Sequence, residues 1–346
     1  MRTASLAYAA AAGAVLALAP LAPANAQSAD TFFAGKDVRI LIGAAVGGTY
    51  GLYAQLAARH MREHIPGKPN LILQSMPGAG GLIGLNYSYN VAPKDGTLMH
   101  LVHAEVLYET LLTREAKFDA QGYQWIGRIA DADSLILSTR NSKLTTFDEA
   151  KSREPILGST GIANIYALGP LLLNRVAGTK FKIIGGYKGS SDIIIAMERG
   201  EVDGAGMTLA NAMTIHGDKI KNGDFKPYLA LSAKRLAAFP DIPAMTEFGS
   251  GPSRLLMDIY ASTGTIGRAL AYPPGVPGDR VQVMRDAFQK MVKDPAFIAE
   301  TKKSNIIVAP MSGEDLTAEI ARVMKTPKEQ VDAARQIHED LLKSSK

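Results

Sequence analysis

The chain has 346 residues with 38 Lys and Arg against 33 Asp and Glu, a formal net charge of +5, 47% hydrophobic residues and no cysteine. The missing cysteines exclude a disulfide framework and a lipidated lipobox, and the thin spread of the basic surplus excludes the dense basic stripe that nucleic-acid binding requires. Stability must come from burial alone, and roughly 320 residues behind a cleaved leader suffice for two domains.

The first residues read as an export signal. Arg2 precedes an apolar run from Ala4 to Ala22, and Ala24-Asn25-Ala26 before Gln27 is a small-residue cleavage site. Cleavage after Ala26 (a signal peptide of residues 1–26) and a periplasmic location are expected. An uncleaved anchor is the alternative for a run of this length, but Pro20, Pro23 and the A-x-A site weigh against it. No later segment is long and apolar enough to span a bilayer, so no membrane insertion of the mature chain is expected.

Short apolar runs then alternate with amphipathic helical stretches, the pattern of parallel sheets with crossover helices. Asp37–Ile42 predicts a first strand, followed by the loop Gly43-Ala44-Ala45-Val46-Gly47-Gly48-Thr49-Tyr50 and a helix from Gly51 to His64. Leu71–Gln74 predicts a second strand. It runs into the glycine-rich turn Met76-Pro77-Gly78-Ala79-Gly80-Gly81 and a helix bearing Leu82, Leu85 and Tyr89. Glycines let the backbone take positive φ and approach a ligand closely, and the first amides of a helix lack internal partners. This turn is therefore a candidate carboxylate or phosphate site. Thr97–Val102 is a third strand, ending at His103-Ala104-Glu105.

A second α/β unit is expected from strands near Trp125–Ile129 and Leu135–Thr139, with a capping box from Thr146 to Glu149. Strand Ile156–Gly158 delivers Ser159-Thr160-Gly161-Ile162-Ala163-Asn164 to a helix start, and Lys182–Ile184 leads into Gly185-Gly186-Tyr187-Lys188-Gly189. A helix over Asp192–Arg199 closes at Gly200. Gly204–Met207 and Leu229–Leu231 read as further strands. Beyond Pro240 helices and turns are expected, among them a helix from Asp279 to Val292. In open α/β sheets ligands sit beyond the carboxyl ends of strands. Loops of both units occupy that place, which makes the cleft between them the expected site.

Each candidate has a plainer reading beside it. The glycine loops can be tight turns. Neither a dinucleotide fingerprint in its proper frame nor a phosphate-loop motif is present, and no cofactor is expected. His60 and His64 are four residues apart and could share a metal, but no third ligand supports one. Solvated helix surface is the preferred reading and no metal site is expected. His103 and Glu105 stand at a strand end, either on the ligand or behind it. His103 could gain charge near pH 6.5, whereas Glu105 would repel an anion unless it reads a hydroxyl or an amine. Tyr50 and Tyr187 are candidate cleft aromatics, suited to an aromatic acid. Ser159 and Thr160 lack the G-x-S-x-G setting of a hydrolase nucleophile, so no catalytic residue is assigned. Asp203 reads as a contact to a ligand hydroxyl or as a cap, and Met207 as cleft lining or core.

Val46-Gly47-Gly48-Thr49-Tyr50, Met76-Pro77-Gly78-Ala79-Gly80-Gly81-Leu82-Ile83-Gly84, Ala92-Pro93-Lys94-Asp95-Gly96-Thr97, Gly158-Ser159-Thr160-Gly161, Gly186-Tyr187-Lys188-Gly189 and Gly200-Glu201-Val202-Asp203, in this order, resemble the motifs of Bug-type extracytoplasmic solute receptors. These are the binding components (substrate-binding proteins) of tripartite tricarboxylate transporters. The resemblance implies an α/β, two-lobed periplasmic-binding-protein type II fold with a hinge of two crossing strands. Lobe 1 would comprise 27–124 plus 233–346, and lobe 2 would comprise 125–232. It further implies a small organic anion, a mono- or dicarboxylate or an aromatic acid, captured by a monomeric receptor and delivered to membrane permease subunits. The matching ligand positions are Val46, Gly47, Gly48 and Thr49 on one lobe and Ser159, Thr160, Gly161 and Ala163 on the other. Tyr50, Ala79, Gly80, Gly81, His103, Glu105, Asn164, Tyr187, Gly189, Asp203 and Met207 complete the candidate set.

The chain departs from the family pattern in three places. Gly51 stands where many members carry Asp, Gln55 where they carry Arg, and Ser75-Met76 replaces Asn-Arg before the glycine-rich turn. Losing the Asp should make that loop friendlier to an anion and less able to hold an amine. Two other functions stay open: an exported hydrolase or isomerase acting on a carboxylate in the same cleft, and a ligand-sensing receptor for a signalling partner.

Overall fold

The computed structural model describes residues 29–344 except 114, 115, 143, 145, 163 and 188. The leader and its cleavage site lie outside the described residues, as do Ala163 and Lys188 of the candidate loops. Eleven strands are described: β1 (Asp37–Ile42), β2 (Asn70–Ser75), β3 (Leu98–Val102), β4 (Gln124–Ala130), β5 (Ser134–Thr139), β6 (Ile156–Gly158), β7 (Lys182–Ile184), β8 (Gly204–Thr208), β9 (Phe225–Ala230), β10 (Arg268–Tyr272) and β11 (Met311–Ser312). They form a six-stranded sheet in the order β11-β4-β10-β3-β1-β2 and a five-stranded sheet in the order β7-β6-β8-β5-β9.

The first sheet is parallel where the apolar runs alternate with helices. Val38 pairs with Leu71, and Ile40 with Met99, while helices Thr49–Met61 and Leu82–Asn90 carry the crossovers. β1 and β3 are buried along nearly their whole length because helices cover both faces. β10 enters antiparallel between β3 and β4, with Leu270 opposite both Leu101 and Gly127. Two expectations are corrected here. The segment 268–272 is a strand in the middle of a sheet, where helices and turns were expected. β4 pairs in the first sheet and not with the second unit, because its partner is that later strand.

The chain passes from the first sheet to the second through Asp131-Ala132-Asp133 and returns after β9 through helix Gly251–Ile266 into β10. The two crossings touch: the Ala132 N–H donates to the Gly264 carbonyl at 3.0 Å. Glycine is needed there, since a Cβ on Gly264 would fall 2.3 Å from Asp133 Oδ1 and 3.2 Å from its Cα. Separate cores fill the two sheets, one around Ile40, Leu56, Met99 and Phe288 and one around Leu137, Met197 and Phe225. A third core joins the sheets, with Leu168 and Leu172 of helix Ile165–Ala177 in one cluster with Leu256 and Tyr260 of the returning helix. Among the described residues no helix is long and apolar enough to cross a membrane.

Candidate functional site

A cavity of about 210 Å³ lies between the sheets. Tyr50, Ala104, Glu105, Tyr108 and Arg268 line it from the first sheet's side, Ser134, Asn164, Tyr166 and Thr208 from the second's, and Tyr260 and Thr263 from the returning helix. Pockets for drug-sized ligands run roughly 300–1,000 Å³, so this space suits a small metabolite.

Tyr50 is the second residue of helix Thr49–Met61, and its hydroxyl accepts the Ala104 N–H at 2.9 Å. Burial pushes its pKa up to about 12 against the opposing charge of Arg268, so the phenol stays neutral. The His103 ring stacks on it with centroids 4.4 Å apart and planes at 19°. The Arg268 guanidinium carbon lies 4.2 Å from the centre of the same ring, close enough for a cation–π contact. His103 Nδ1 pairs with Glu105 Oε2 at 3.0 Å. Burial raises the Glu105 pKa, but the hydrogen bond and charge of His103, its own backbone N–H and Arg268 outweigh that and leave it below the usual carboxylate range.

The glycine-rich turn sets the position of His103. Gly81 has φ +96°, and a Cβ there would fall 2.2 Å from His103 Cδ2; one on Gly43 would fall 2.9 Å from the same atom. Arg268 opens β10 directly after Gly267, itself at φ +52°. Its Nη1 donates to the Gly267 carbonyl at 3.2 Å, while its buried Nε has no partner among the described residues. It makes no ion pair with any described carboxylate. A cation beside a ring in a half-buried cavity, with a donor unspent, is poised for an anion.

On the opposite wall Asn164 caps helix Ile165–Ala177: its Oδ1 accepts from Tyr166 N at 3.0 Å and Ala167 N at 3.2 Å. Its Nδ2 donates to Ser159 Oγ at 3.1 Å and to the Gly161 carbonyl at 2.9 Å. Ser159 Oγ donates to the same carbonyl at 2.6 Å, so Ser159 and Gly161 hold the loop's shape. Thr208 caps helix Leu209–Lys221 by accepting from Asn211 N.

Of the sequence candidates, Tyr50, Glu105 and Asn164 line this cavity and His103 packs behind Tyr50. Val46, Gly47, Gly48, Thr49 and Thr160 are exposed and outside its wall. The first loop folds back on its own helix: a Cβ on Gly51 would fall 1.7 Å from the Val46 carbonyl oxygen. No side chain could stand at Gly51 with the loop in this conformation. Ala79, Gly80 and Gly81 form the 3-10 turn that seats His103, Tyr187 packs beside Gly158, and Gly189 precedes helix Ser190–Glu198. Asp203 accepts the Ile156 N–H at 2.8 Å, at the opposite end of β6 from Ser159. Met207 is buried in the second lobe's core.

His60 and His64 are not solvated surface. Each reaches a separate acid, Glu300 and Asp294, at 2.8 Å, and so ties helix Thr49–Met61 and the 3-10 turn Arg62–His64 to the C-terminal segment. Among the described residues no group of three or more His, Cys, Asp or Glu could hold a metal. Arg268, Thr208, Tyr108, Tyr166 and Tyr260 were missed by sequence reasoning. No local signal marked Arg268: four apolar residues follow it, Ala269-Leu270-Ala271-Tyr272, a run too short to tell a buried strand from a helix segment.

A family profile described as the tripartite tricarboxylate transporter family receptor matches residues 54–334. A UPF0065 protein of Bordetella pertussis is 25% identical over 308 residues, covering 87% of this chain and 90% of that one. Among solved structures, a TctC solute binding protein from Polaromonas aligns with a TM-score of 0.65 at 20% identity, over 86% of this chain and 98% of that chain. An R. palustris protein solved with adipate aligns with a TM-score of 0.58 at 19% identity, over 87% of this chain and 97% of that chain. At such identities the solved structures show a shared two-lobed fold.

Proposed function

The chain belongs to the tripartite tricarboxylate transporter family of receptors, and from that premise we propose that it captures a small carboxylate in the interlobe cavity and delivers it to a membrane permease. Residues 1–26 export it to the periplasm in this reading. The lobes close on the ligand about the two crossings, and no chemistry is done on it. The observation that carries the ligand class is Arg268, a cavity cation without an acidic partner among the described residues and with a buried Nε left unbonded. A guanidinium fork matches a carboxylate with two parallel hydrogen bonds. Adipate in a solved structural neighbour supports the class. The commitment of Ser159 to Gly161 and Asn164 argues against a nucleophile.

Thermal shift of the purified protein against mono-, di- and tricarboxylates, aromatic acids and amino acids tests this. A ligand at a hundred times its Kd adds about 2.7 kcal/mol to stability, so a saturable rise with acids, absent with matched amides, is expected. No response to any acid from folded protein would overturn the reading.

A further inference from the structure

The same cavity that presents Arg268 also presents a carboxylate. Glu105 lines it with its side chain 47% exposed, and His103 engages only Oε2, so acceptor capacity remains. Arg268 and Glu105 feel each other's charge but form no ion pair. Two opposite charges thus stand apart in one small space. Arg268 is the one cation among the described residues of the lining, and aromatic rings make up much of the rest, those of Tyr50, Tyr108, Tyr166 and Tyr260.

Resting on the receptor reading above, we propose that the ligand is a small monocarboxylate with an apolar or aromatic body that carries a hydrogen-bond donor, a hydroxyl or an ammonium, away from its carboxylate. The carboxylate sits on Arg268 and the donor on Glu105. A second carboxylate in place of the donor would face Glu105 and find no second cation among the described residues of the lining, so like charges would oppose it. A plain acid without the donor would cover the Glu105 oxygen that His103 does not engage and give it no partner. A donor there makes a charge-assisted bond, the strong kind.

Calorimetric titration of the purified protein with phenylacetate, para-hydroxyphenylacetate, para-aminomethylbenzoate and adipate, repeated on Glu105→Gln and Arg268→Gln, tests the assignment. At least one donor-bearing monoacid should bind about tenfold or more tighter than both phenylacetate and adipate. That advantage should shrink to within about threefold in Glu105→Gln, and all binding should be lost in Arg268→Gln. Phenylacetate or adipate binding as tightly as both donor-bearing acids would overturn this inference and leave the receptor reading standing. So would a donor advantage that survives Glu105→Gln. Binding that persists unchanged in Arg268→Gln would overturn the carboxylate site and this inference with it.

Discussion

Arg268 and Gly81 do different work at the residue scale, and substitution separates them. Arg268 carries a charge that is half-buried and unpaired among the described residues, an arrangement that costs free energy until an anion arrives. Arg268→Gln is therefore expected to cost about 2–5 kcal/mol of carboxylate affinity, while leaving the unliganded protein as stable as before or up to ~1 kcal/mol more stable. Calorimetry and urea unfolding measured on the same protein check the two signs, and a parallel loss of both would make Arg268 a structural residue. Gly81 is bound by backbone and by space. Its φ of +96° is strained for any side chain, and the His103 ring occupies the place of a Cβ. Gly200 has a similar φ of +76° with nothing within 4 Å. Gly200→Ala should then cost about 1 kcal/mol for backbone alone. Gly81→Ala should cost about 2–4 kcal/mol and also weaken ligand binding, because His103 must leave the Tyr50 ring. Equal urea midpoints for the two variants would show that the turn does not seat His103.

At the scale of elements the hinge carries a charge problem. Asp133 lies on the outgoing crossing against Gly264 of the returning helix. Burial pushes its pKa up to about 6, the neighbouring Asp131 adds to the rise, and Arg128 opposes it. Asp131 itself is raised by burial against the opposing charge of Arg128. An acid whose folded pKa exceeds its unfolded value of about 3.9 binds a proton better when folded, so its contribution to stability falls as pH rises between about 4 and 6 and stays lost above that. Asp133→Asn removes the cost. The variant should be more stable than the parent by about 1–3 kcal/mol at pH 8 and by almost nothing near pH 4, as read by urea unfolding at both pH values; the same difference at both would show that the carboxylate is not strained by its site. The hinge also marks where local sequence stopped being informative. β1, β6 and β7 were legible to the residue because each is a short apolar run bounded by turn residues. β10 was not, because its five residues become a strand only by entering between β3 and β4, partners that lie far back in the chain. The cavity wall followed suit: Tyr50, Glu105 and Asn164 sit in or beside the motif loops and could be named. Arg268, Thr208 and Tyr260 reach the cavity through sheet order and helix return, which no local pattern encodes.

The whole molecule must reconcile a joined base with a cleft that closes. Helix Ile165–Ala177 of the second lobe shares a core with the returning helix, so the lobes can rotate about that contact but cannot separate. A second gap between the lobes reports such a rotation without touching the ligand. Met213 and Thr214 of helix Leu209–Lys221 face Phe297, Ile298 and Val308 across it, and Met213 and Ile298 are 42% and 38% exposed. The chain contains no cysteine, so Met213→Cys together with Ile298→Cys places two spin labels uniquely, on exposed positions where substitution costs about 0.5 kcal/mol or less. If ligand binding selects a closed arrangement, saturating ligand should replace one inter-label distance distribution with another, in proportion to occupancy and with the affinity that calorimetry gives. A distribution unmoved at full occupancy would mean that the cavity fills without rotation, and capture by closure would have to be abandoned even if the carboxylate binds Arg268. The two results are separable because the label pair spans a different gap from the one that holds Arg268 and Glu105, so a change there requires the lobes themselves to move.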